Sequence, residues 1–482
     1  MSGPERTTRT VVELQRNAEA ALEDIAPVVE DLGRVFAAAG HELALVGGPV
    51  RDAMLGRPHH DLDFATSARP DDTERLLDAW GDVTWDMGRD FGTIGCRKGE
   101  WTVEVTTYRS EAYDPSSRKP TVDFGDTLEG DLGRRDFTVN AMAVRLPGRV
   151  VEDPYGGVVD LASGVLRTPG TPHDSFSDDP LRMMRAARFA AQLGFTVAPE
   201  VVAAMREMAA RIEIISAERV RDELVKLISA PHPRLGLALL VETGLAAYVL
   251  PELPALALER DEHHRHKDVY EHTLTVLEQA IDLEARLGGG PDFVSRFAAL
   301  MHDVGKPRTR KFLDDGSVTF HHHDVVGAKI TRKRMQALRF SKDEIEAVTT
   351  LVELHLRFHG YGSGEWTDSA VRRYVRDAGD QLERLHVLTR ADCTTRNRGK
   401  ADRLRRSYDD LEARIAVLQQ EEELGAIRPD LDGNQIMELL GIRPGREVGQ
   451  AYAFLLELRL DHGPMSQEDA AAALREWWAA RG

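Results

Sequence analysis

The chain has 482 residues and a formal net charge of −18. That length exceeds one ordinary hydrophobic core and suggests about three domains, and no window approaches the ~20 consecutive apolar residues of a membrane span. With only Cys96 and Cys393, a disulfide framework is excluded and a reducing cytoplasm fits best. The acidic balance argues against nucleic-acid binding through the overall field, but leaves room for local basic grooves. Basic residues do cluster, in "KPRTRK" (306–311), "KITRKR" (329–334) and "RNRGKADRLRR" (396–406).

In chain order, residues 1–20 are polar and charged and carry no apolar signal core. Residues 8–39 read as a helix with Val12, Leu14, Leu22, Ile25, Val28, Leu32 and Val35 on a broad apolar face. From about 41 to 152 the pattern changes to short strands, "ELALVGG", "DLDFAT", "DVTWDMG", "GTIGCRKG" and "WTVEVTTYR", with "RKGE" (97–100) as a hairpin tip. From about 175 the chain is overwhelmingly helical. "SDDPLRMMRAARFAAQLGF" starts a helix with an Asp cap and Pro180 at the first helical position, and Gly194 ends it. A Pro-rich break over 251–266 precedes a second helical unit to about 400, rich in histidine, and short helices follow to the end.

Two constellations carry chemistry. In "LVGGPVRDAMLGRPHHDLDFAT" (45–66), strand alternation points Asp61 and Asp63 to one side and Leu62 to a core on the other. Two carboxylates so close repel unless a cation joins them, and Mg²⁺ commonly links such a pair to substrate phosphates. Gly47 and Gly48 form a strand-to-helix turn with room and exposed N–H groups for a phosphate, and Arg51 follows one turn later. Glu104, in "WTVEVTTYR", shares its strand face with Thr102 and Thr106, either as a third active-site carboxylate or as part of an exposed polar face.

The 45–66 segment resembles the signature of the nucleotidyltransferase branch containing bacterial class II CCA-adding tRNA nucleotidyltransferases and bacterial poly(A) polymerases. Four further motifs agree in order. "RRDFTVNAM" (134–142) is similar to a motif contacting ribose and triphosphate, and "EDPYGGVVDL" (152–161) to a flexible connector. "DDPLRMMRAARF" (178–189) is similar to the nucleotide-selecting motif, and "SAERVRDELVKLI" (216–228) to the helix that supports it. The resemblance implies that Asp61 and Asp63 hold two Mg²⁺ ions. It implies that Gly47, Gly48, Arg51, Arg134, Arg135, Asp136 and Asn140 contact the nucleotide, with Arg135 preferred over Arg134 at the triphosphate. The adjacent arginines are expected to diverge from a helix start, so that only one touches nucleotide; the competing reading is a plain helix cap by Asp136 or Thr138. Asp179 and Arg182 would pair with the incoming base, and Arg185 and Arg188 would hold phosphate or ribose. The competing reading makes Asp179 a helix cap and the arginines, recurring every third residue, a surface ladder. Asp178 stands where the family more often has glutamate.

The second constellation is histidine and aspartate: His272 in "DVYEHTLTVLEQA", His302-Asp303 in "FAALMHDVGKPRTR", His323 in "FHHHDVVGA", His355 in "LVELHLRFH" and Asp392 in "LTRADCTTRN". Such ligands suit Mn²⁺, Fe, Ni²⁺ or Zn²⁺ with open positions for water and phosphate. The pattern resembles HD-domain phosphohydrolases. The resemblance alone selects His323 from the triple histidine, and a retained HD fold without turnover is the alternative.

The expected fold is α+β. A helical extension (1–32) precedes a nucleotidyltransferase α/β head (33–152), followed by an all-helical neck (153–255), HD domain (256–402) and helical tail (403–482). The expected function is CCA addition to a tRNA 3′ end from CTP and ATP, with possible HD phosphohydrolase activity. A poly(A) polymerase, or an HD phosphohydrolase with a nucleotide-sensing head, stays open. No membrane association and no obligate protein partner is expected.

Overall fold

The computed structural model describes residues 9–57, 61–112, 121–125, 127–257, 269–314, 318–360, 366–393, 398–422 and 428–481. It divides into two compact units, Met1–Pro251 and Glu252–Gly482.

The first unit is built on a seven-stranded mixed sheet. Helix α1 (Val11–Ala38) leads into β1 (Leu43–Val46), α2 (Gly48–Met54), β2 (Asp61–Thr66) and α3 (Pro70–Trp80). Three strands follow, β3 (Val83–Trp85), β4 (Thr93–Lys98) and β5 (Trp101–Thr107). The sheet order is β3-β4-β5-β2-β1, completed by strands Ala143–Leu146 and Val150–Glu152. Strand β2 runs parallel to β5 and antiparallel to β1, and the β4–β5 hairpin turns at Gly99-Glu100. Helix α1 runs unbroken across residue 33, and Thr10 and Glu13 start it with a reciprocal capping box. It buries Leu14, Ala18, Leu22, Ile25, Val29, Leu32 and Phe36. The expected face was one residue out of phase in places: Val12 is 73% exposed, and Val28 and Val35 are only partly buried.

Alternation along the strands sets the two faces of the sheet. Leu62 and Phe64 of β2, Ile94 and Cys96 of β4, and Val103 and Val105 of β5 are all buried. Leu62 and Phe64 together contribute roughly 3–6 kcal/mol of transfer free energy. On the opposite face, Ala44, Val46 and Ala65 pack under Leu128 and Leu132 of the helix Leu128–Gly133. That helix covers one part of the face and stops short of Asp61, Asp63 and Glu104, which stay exposed. The remainder of this unit is mostly helical, with Leu181–Leu193 packed against Ala217–Ile228 and Pro233–Glu242. The stretch 153–255, expected to be all-helical, also holds a short parallel strand pair, Val165–Leu166 beside Thr196–Val197, which ties the start of the stretch to the end of the helix Leu181–Leu193.

The second unit is almost entirely helical. Helices Val269–Asp282, Phe293–Met301, His323–Ala337, Lys342–Leu354 and Leu382–Ala391 surround a core that includes Leu274, Leu277, Phe297, Val348 and Leu388. The helices Gly433–Leu440, Arg446–His462 and Gln467–Ala479 form a separate small cluster around Ile436, Ala451, Leu455 and Leu474.

Candidate active site and metal centre

The strand pair β2–β5 brings the head carboxylates together. Asp63 lies directly beside Glu104 in the ladder, and Asp61 beside Thr102, so all three carboxylates rise from one face. Beside them opens a cleft of about 530 Å³, lined by Gly47 and Gly48 together with eight arginines and only three aspartates, Asp63 among them. In a chain of net charge −18, that inversion of local charge marks an anion site.

Each cation is held in place. Gly47, at φ 73° and ψ −130°, makes the turn from β1 into α2. A Cβ there would stand 2.7 Å from Nη1 of Arg135, so the absent side chain lets the guanidinium lie against the turn. Arg51 is buried; it donates to both carboxylate oxygens of Asp52 at 2.8 and 2.7 Å and to Oδ1 of Asn140 at 2.6 Å. Arg134 and Arg135 follow the helix Leu128–Gly133 instead of starting one. They do not diverge: both fold back onto the buried Asp131, at 2.7 and 3.1 Å. Burial pushes the Asp131 carboxyl up, but Arg135 and Arg134 outweigh it and hold it below the usual carboxylate range. Asp136 caps no helix by its side chain; it accepts from the Phe137 amide and from Asn140, and Arg185 donates to it at 2.7 Å. Burial acts against its ionisation, and Arg185 and Asn140 prevail, so its pKa is lowered.

The helix Leu181–Leu193 supplies the other wall. Asp179 accepts from the Leu181 amide at 3.0 Å, as a cap would, and its second oxygen accepts from Arg219 at 2.9 Å. Pro180 stands one position before the first helical residue. Arg182 donates to Oγ of Ser175 at 3.0 Å and to the Arg134 carbonyl at 2.5 Å, tying the helix to the end of the sheet domain. Arg188 donates to the buried Glu223, at 2.6 Å, from the helix Ala217–Ile228. These arginines therefore form a wall of the cleft and not a surface ladder.

Asp131, Arg109, Phe189, Arg219 and Glu223 were not singled out from the sequence. The Phe189 ring has the guanidinium carbons of Arg188, Arg51 and Arg185 at 3.9, 5.3 and 5.5 Å from its centroid. Its place at the end of "RMMRAARF" was the available signal; the convergence of Arg51 from another element was not readable.

The second unit gathers the other constellation. His302 follows Phe293–Met301, His323 opens its helix, His355 follows Lys342–Leu354 and Asp392 follows Leu382–Ala391, so four helix ends and His272 meet. Two potential ligand groups result, His272–His302–Asp303 and Asp303–His323–His355, sharing Asp303. Nε2 of His272 lies 3.0 Å from Asp392. Nδ1 of His302, His323 and His355 donates to the carbonyls of Ala299, Phe320 and Val352 at 2.8, 2.8 and 2.7 Å. A carbonyl only accepts, so each Nδ1 carries a proton, and in the neutral imidazole the Nε2 lone pair is turned inward. Among the described residues none of the three buried Nε2 atoms has a hydrogen-bond partner, and those of His302 and His323 lie 3.3 Å from the Asp303 carboxylate, an arrangement that fits metal ligands held by their other nitrogen. His321 and His322 are exposed, with His322 at φ 62° opening the helix, so only His323 enters the centre. Gly305 makes the approach possible, because a Cβ there would stand 2.0 Å from the His323 carbonyl oxygen. Lys306, which the sequence reading passed over, donates to Asp303 at 2.5 Å. Burial raises the Asp303 pKa, yet His302 and Lys306 bring it well below the usual range; burial, then His302, push His355 down to about 4.

A strand-borne carboxylate set beside an arginine-lined cleft, followed by a separate His/Asp helical centre, defines a nucleotidyltransferase head joined to an HD domain. Both are metal-dependent families. Family models agree: a poly A polymerase head domain matches residues 43–167, a probable RNA- and SrmB-binding site of polymerase A matches 194–256, and an HD domain matches 269–397. An A-adding tRNA nucleotidyltransferase of Deinococcus radiodurans is 33% identical over 441 residues, covering 90% of this chain and 95% of that one. A CCA-adding enzyme of Levilactobacillus brevis is 44% identical over 211 residues, 44% of this chain and 52% of that one. The structure is similar to the Bacillus stearothermophilus CCA-adding enzyme in complex with CTP, with TM-score 0.67, 25% identity, and coverage of 94% and 98%. A Thermotoga maritima CCA-adding enzyme complexed with tRNA shares the fold, with TM-score 0.61, 18% identity, and coverage of 96% and 98%. The chain belongs to the family of bacterial tRNA nucleotidyltransferases and poly(A) polymerases. No helix among its described residues is long and apolar enough to cross a membrane.

Proposed function

We propose that the protein is a CCA tRNA nucleotidyltransferase, adding C, C and A to tRNA 3′ ends from CTP and ATP without a nucleic-acid template. The carrying observation is the pair Asp61 and Asp63, exposed on one strand face beside the arginine-lined cleft. The acceptor 3′-oxygen forms a bond to the α-phosphorus, the bond to the bridging oxygen breaks, and pyrophosphate leaves. Two Mg²⁺ ions held by Asp61 and Asp63, with Glu104 beside them, would supply activation of the attacking hydroxyl and charge neutralisation on the leaving group. Gly47, Gly48, Arg51, Arg134 and Arg135 hold the triphosphate, with Arg135 nearest the turn. Asp136 and Asn140 face the sugar. Asp179 and Arg182 offer acceptor and donor groups to the base edge, and Arg185 and Arg188 hold that wall through Asp136 and Glu223.

We assign residues 33–152 to the head, 153–255 to the neck, 256–402 to the HD domain and 403–482 to the tail, with 1–32 as an extension. The HD residues His272, His302, Asp303, His323, His355 and Asp392 would hold one or two transition-metal ions, which would supply Lewis acidity and an activated water for phosphohydrolysis. The two free cysteines support a cytoplasmic location.

The test is incorporation on tRNA lacking its CCA end. CTP and ATP together should give three additions and stop, and replacing Asp61 and Asp63 with Ala should abolish it. Addition of A alone is a second reading, favoured by the full-length likeness to the A-adding enzyme; it predicts no use of CTP. Long tails from ATP would instead indicate a poly(A) polymerase. Incorporation that survives in the double variant refutes the head assignment.

A further inference from the structure

The carboxylate face continues past Glu104 in a straight line. Asp63 neighbours Glu104, Glu104 neighbours Gly95, and Gly95 neighbours Trp85, each pair directly opposite in the ladder. Residues opposite one another share a face, and strands lie about 4.8 Å apart, so Gly95 sits roughly 10 Å from Asp63. Gly95 has no side chain, and the Trp85 indole occupies its place. A Cβ on Gly95 would stand 2.1 Å from Nε1, 2.2 Å from Cε2 and 2.6 Å from Cζ2 of Trp85. The indole therefore leans across β4 toward Glu104, burying Gly95 while itself remaining partly exposed. Just beyond β3, Met87 and Phe91 are 90% and 53% exposed, which extends the apolar surface at this edge of the sheet.

The direction of the reaction decides what can meet that indole. Attacking and leaving oxygens lie roughly in line across the phosphorus. The arginine cleft is centred on the β1–α2 side of β2, around Gly47, Gly48 and Arg51, reaches β5 only at its end, at Thr106 and the following Arg109, and takes no residue from β3 or β4. With the triphosphate there, the attacking hydroxyl arrives from the β5–β4–β3 side. Its ribose then lies above Asp61, Asp63 and Glu104, and its base reaches outward over β4.

We propose that Trp85 is the stacking platform for the 3′-terminal base of the RNA acceptor, held over the sheet by the missing side chain of Gly95. Stacking is sequence-tolerant, since every base has a π-face, so one indole serves an end that changes identity with each addition. The proposal rests on nucleotidyl transfer at Asp61 and Asp63.

The experiment is steady-state CTP incorporation on tRNA lacking CCA, varying RNA and nucleotide separately, with thermal unfolding alongside. Trp85→Ala should raise the RNA KM roughly 5- to 150-fold and leave the CTP KM unchanged. Trp85→Phe should restore most of the affinity. Trp85→Leu, apolar but without an aromatic face, should not; this pair decides the matter even if the alanine variant unfolds. A wild-type RNA KM in Trp85→Leu, or a CTP KM rising in step with the RNA KM, overturns the proposal and leaves Trp85 as cover for the Gly95 backbone. Full activity in Asp61→Ala/Asp63→Ala would instead sink the underlying assignment, whatever the Trp85 variants do.

Discussion

Replacing Gly47 with alanine tests whether the turn, and not merely the cleft's charge, sets nucleotide affinity. Two costs are legible in the structure. At φ 73° and ψ −130°, a residue with a Cβ is strained by roughly 1–3 kcal/mol. The new methyl would also lie 2.7 Å from Nη1 of Arg135, about 0.7 Å inside the ordinary contact limit of 3.4 Å. The Asp131 bond keeps the guanidinium tethered on its other side, so it must swing off the turn. If Arg135 donates to a triphosphate oxygen, that charge-assisted bond is lost, at about 1.5–3 kcal/mol. The expected outcome is a fall in kcat/KM for CTP of roughly 10- to 150-fold, separate from a lower unfolding midpoint caused by the backbone strain. Single-nucleotide incorporation gives the first quantity and urea titration the second. In a double-mutant cycle with Arg135→Ala, the two kinetic losses should be strongly non-additive. Unchanged kcat/KM for CTP in Gly47→Ala, or additive losses in the cycle, would refute the argument that the glycine acts through Arg135.

Two other predictions follow from the same kind of geometry. Gly305→Ala forces a methyl into the His323 carbonyl, 2.0 Å away; metal ligands tolerate errors of about 0.2 Å, so metal content of the HD domain, measured by atomic emission, should drop while CTP incorporation persists. Retention of full metal would contradict the role given to the close approach of these segments. Asp131 has a depressed folded pKa, so its ionised form contributes stability that is fully present above the unfolded value near 3.9 and lost as pH falls through the lower folded value. Asp131→Asn should therefore be less stable at neutral pH and show a flatter stability–pH curve below about pH 4, by up to one proton or about 1.4 kcal/mol per pH unit. Urea midpoints from pH 3 to 7 check this, and an unchanged slope would count against it.

Much of the head was legible because strand alternation is a local rule. The outward Asp61 and Asp63, the inward Leu62 and the shared face of Glu104 need nothing beyond a period of two. The glycine turn and the helix after it were equally local. The α1 face was partly misplaced because apolar residues at a helix start need a partner to cover them; Val12 finds none among the described residues and is exposed there, while Ala18 and Phe36 are buried. Reading Arg134 and Arg135 as diverging failed for a related reason. Backbone geometry separates adjacent side chains, but long guanidinium stems converge when one buried carboxylate, Asp131, lies within reach of both.

In the second unit, sequence alone named a set of histidines and aspartates without distinguishing His323 from its two neighbours. Helix packing made that choice: the start of the His323–Ala337 helix passes Gly305 so closely that one imidazole is buried against Asp303 and the two before it remain outside. The amino-acid sequence by itself determined which chemistry is present, because residue type and short-range spacing specify carboxylate pairs, phosphate turns and metal-ligating groups. Tertiary structure alone decided which groups meet. Arg51, Asn140, Asp136 and Arg185 form a connected network over 134 residues of chain separation, and Trp85 reaches the carboxylate face only through the register of β3, β4 and β5. Such contacts depend on packing and strand order, which no local period encodes.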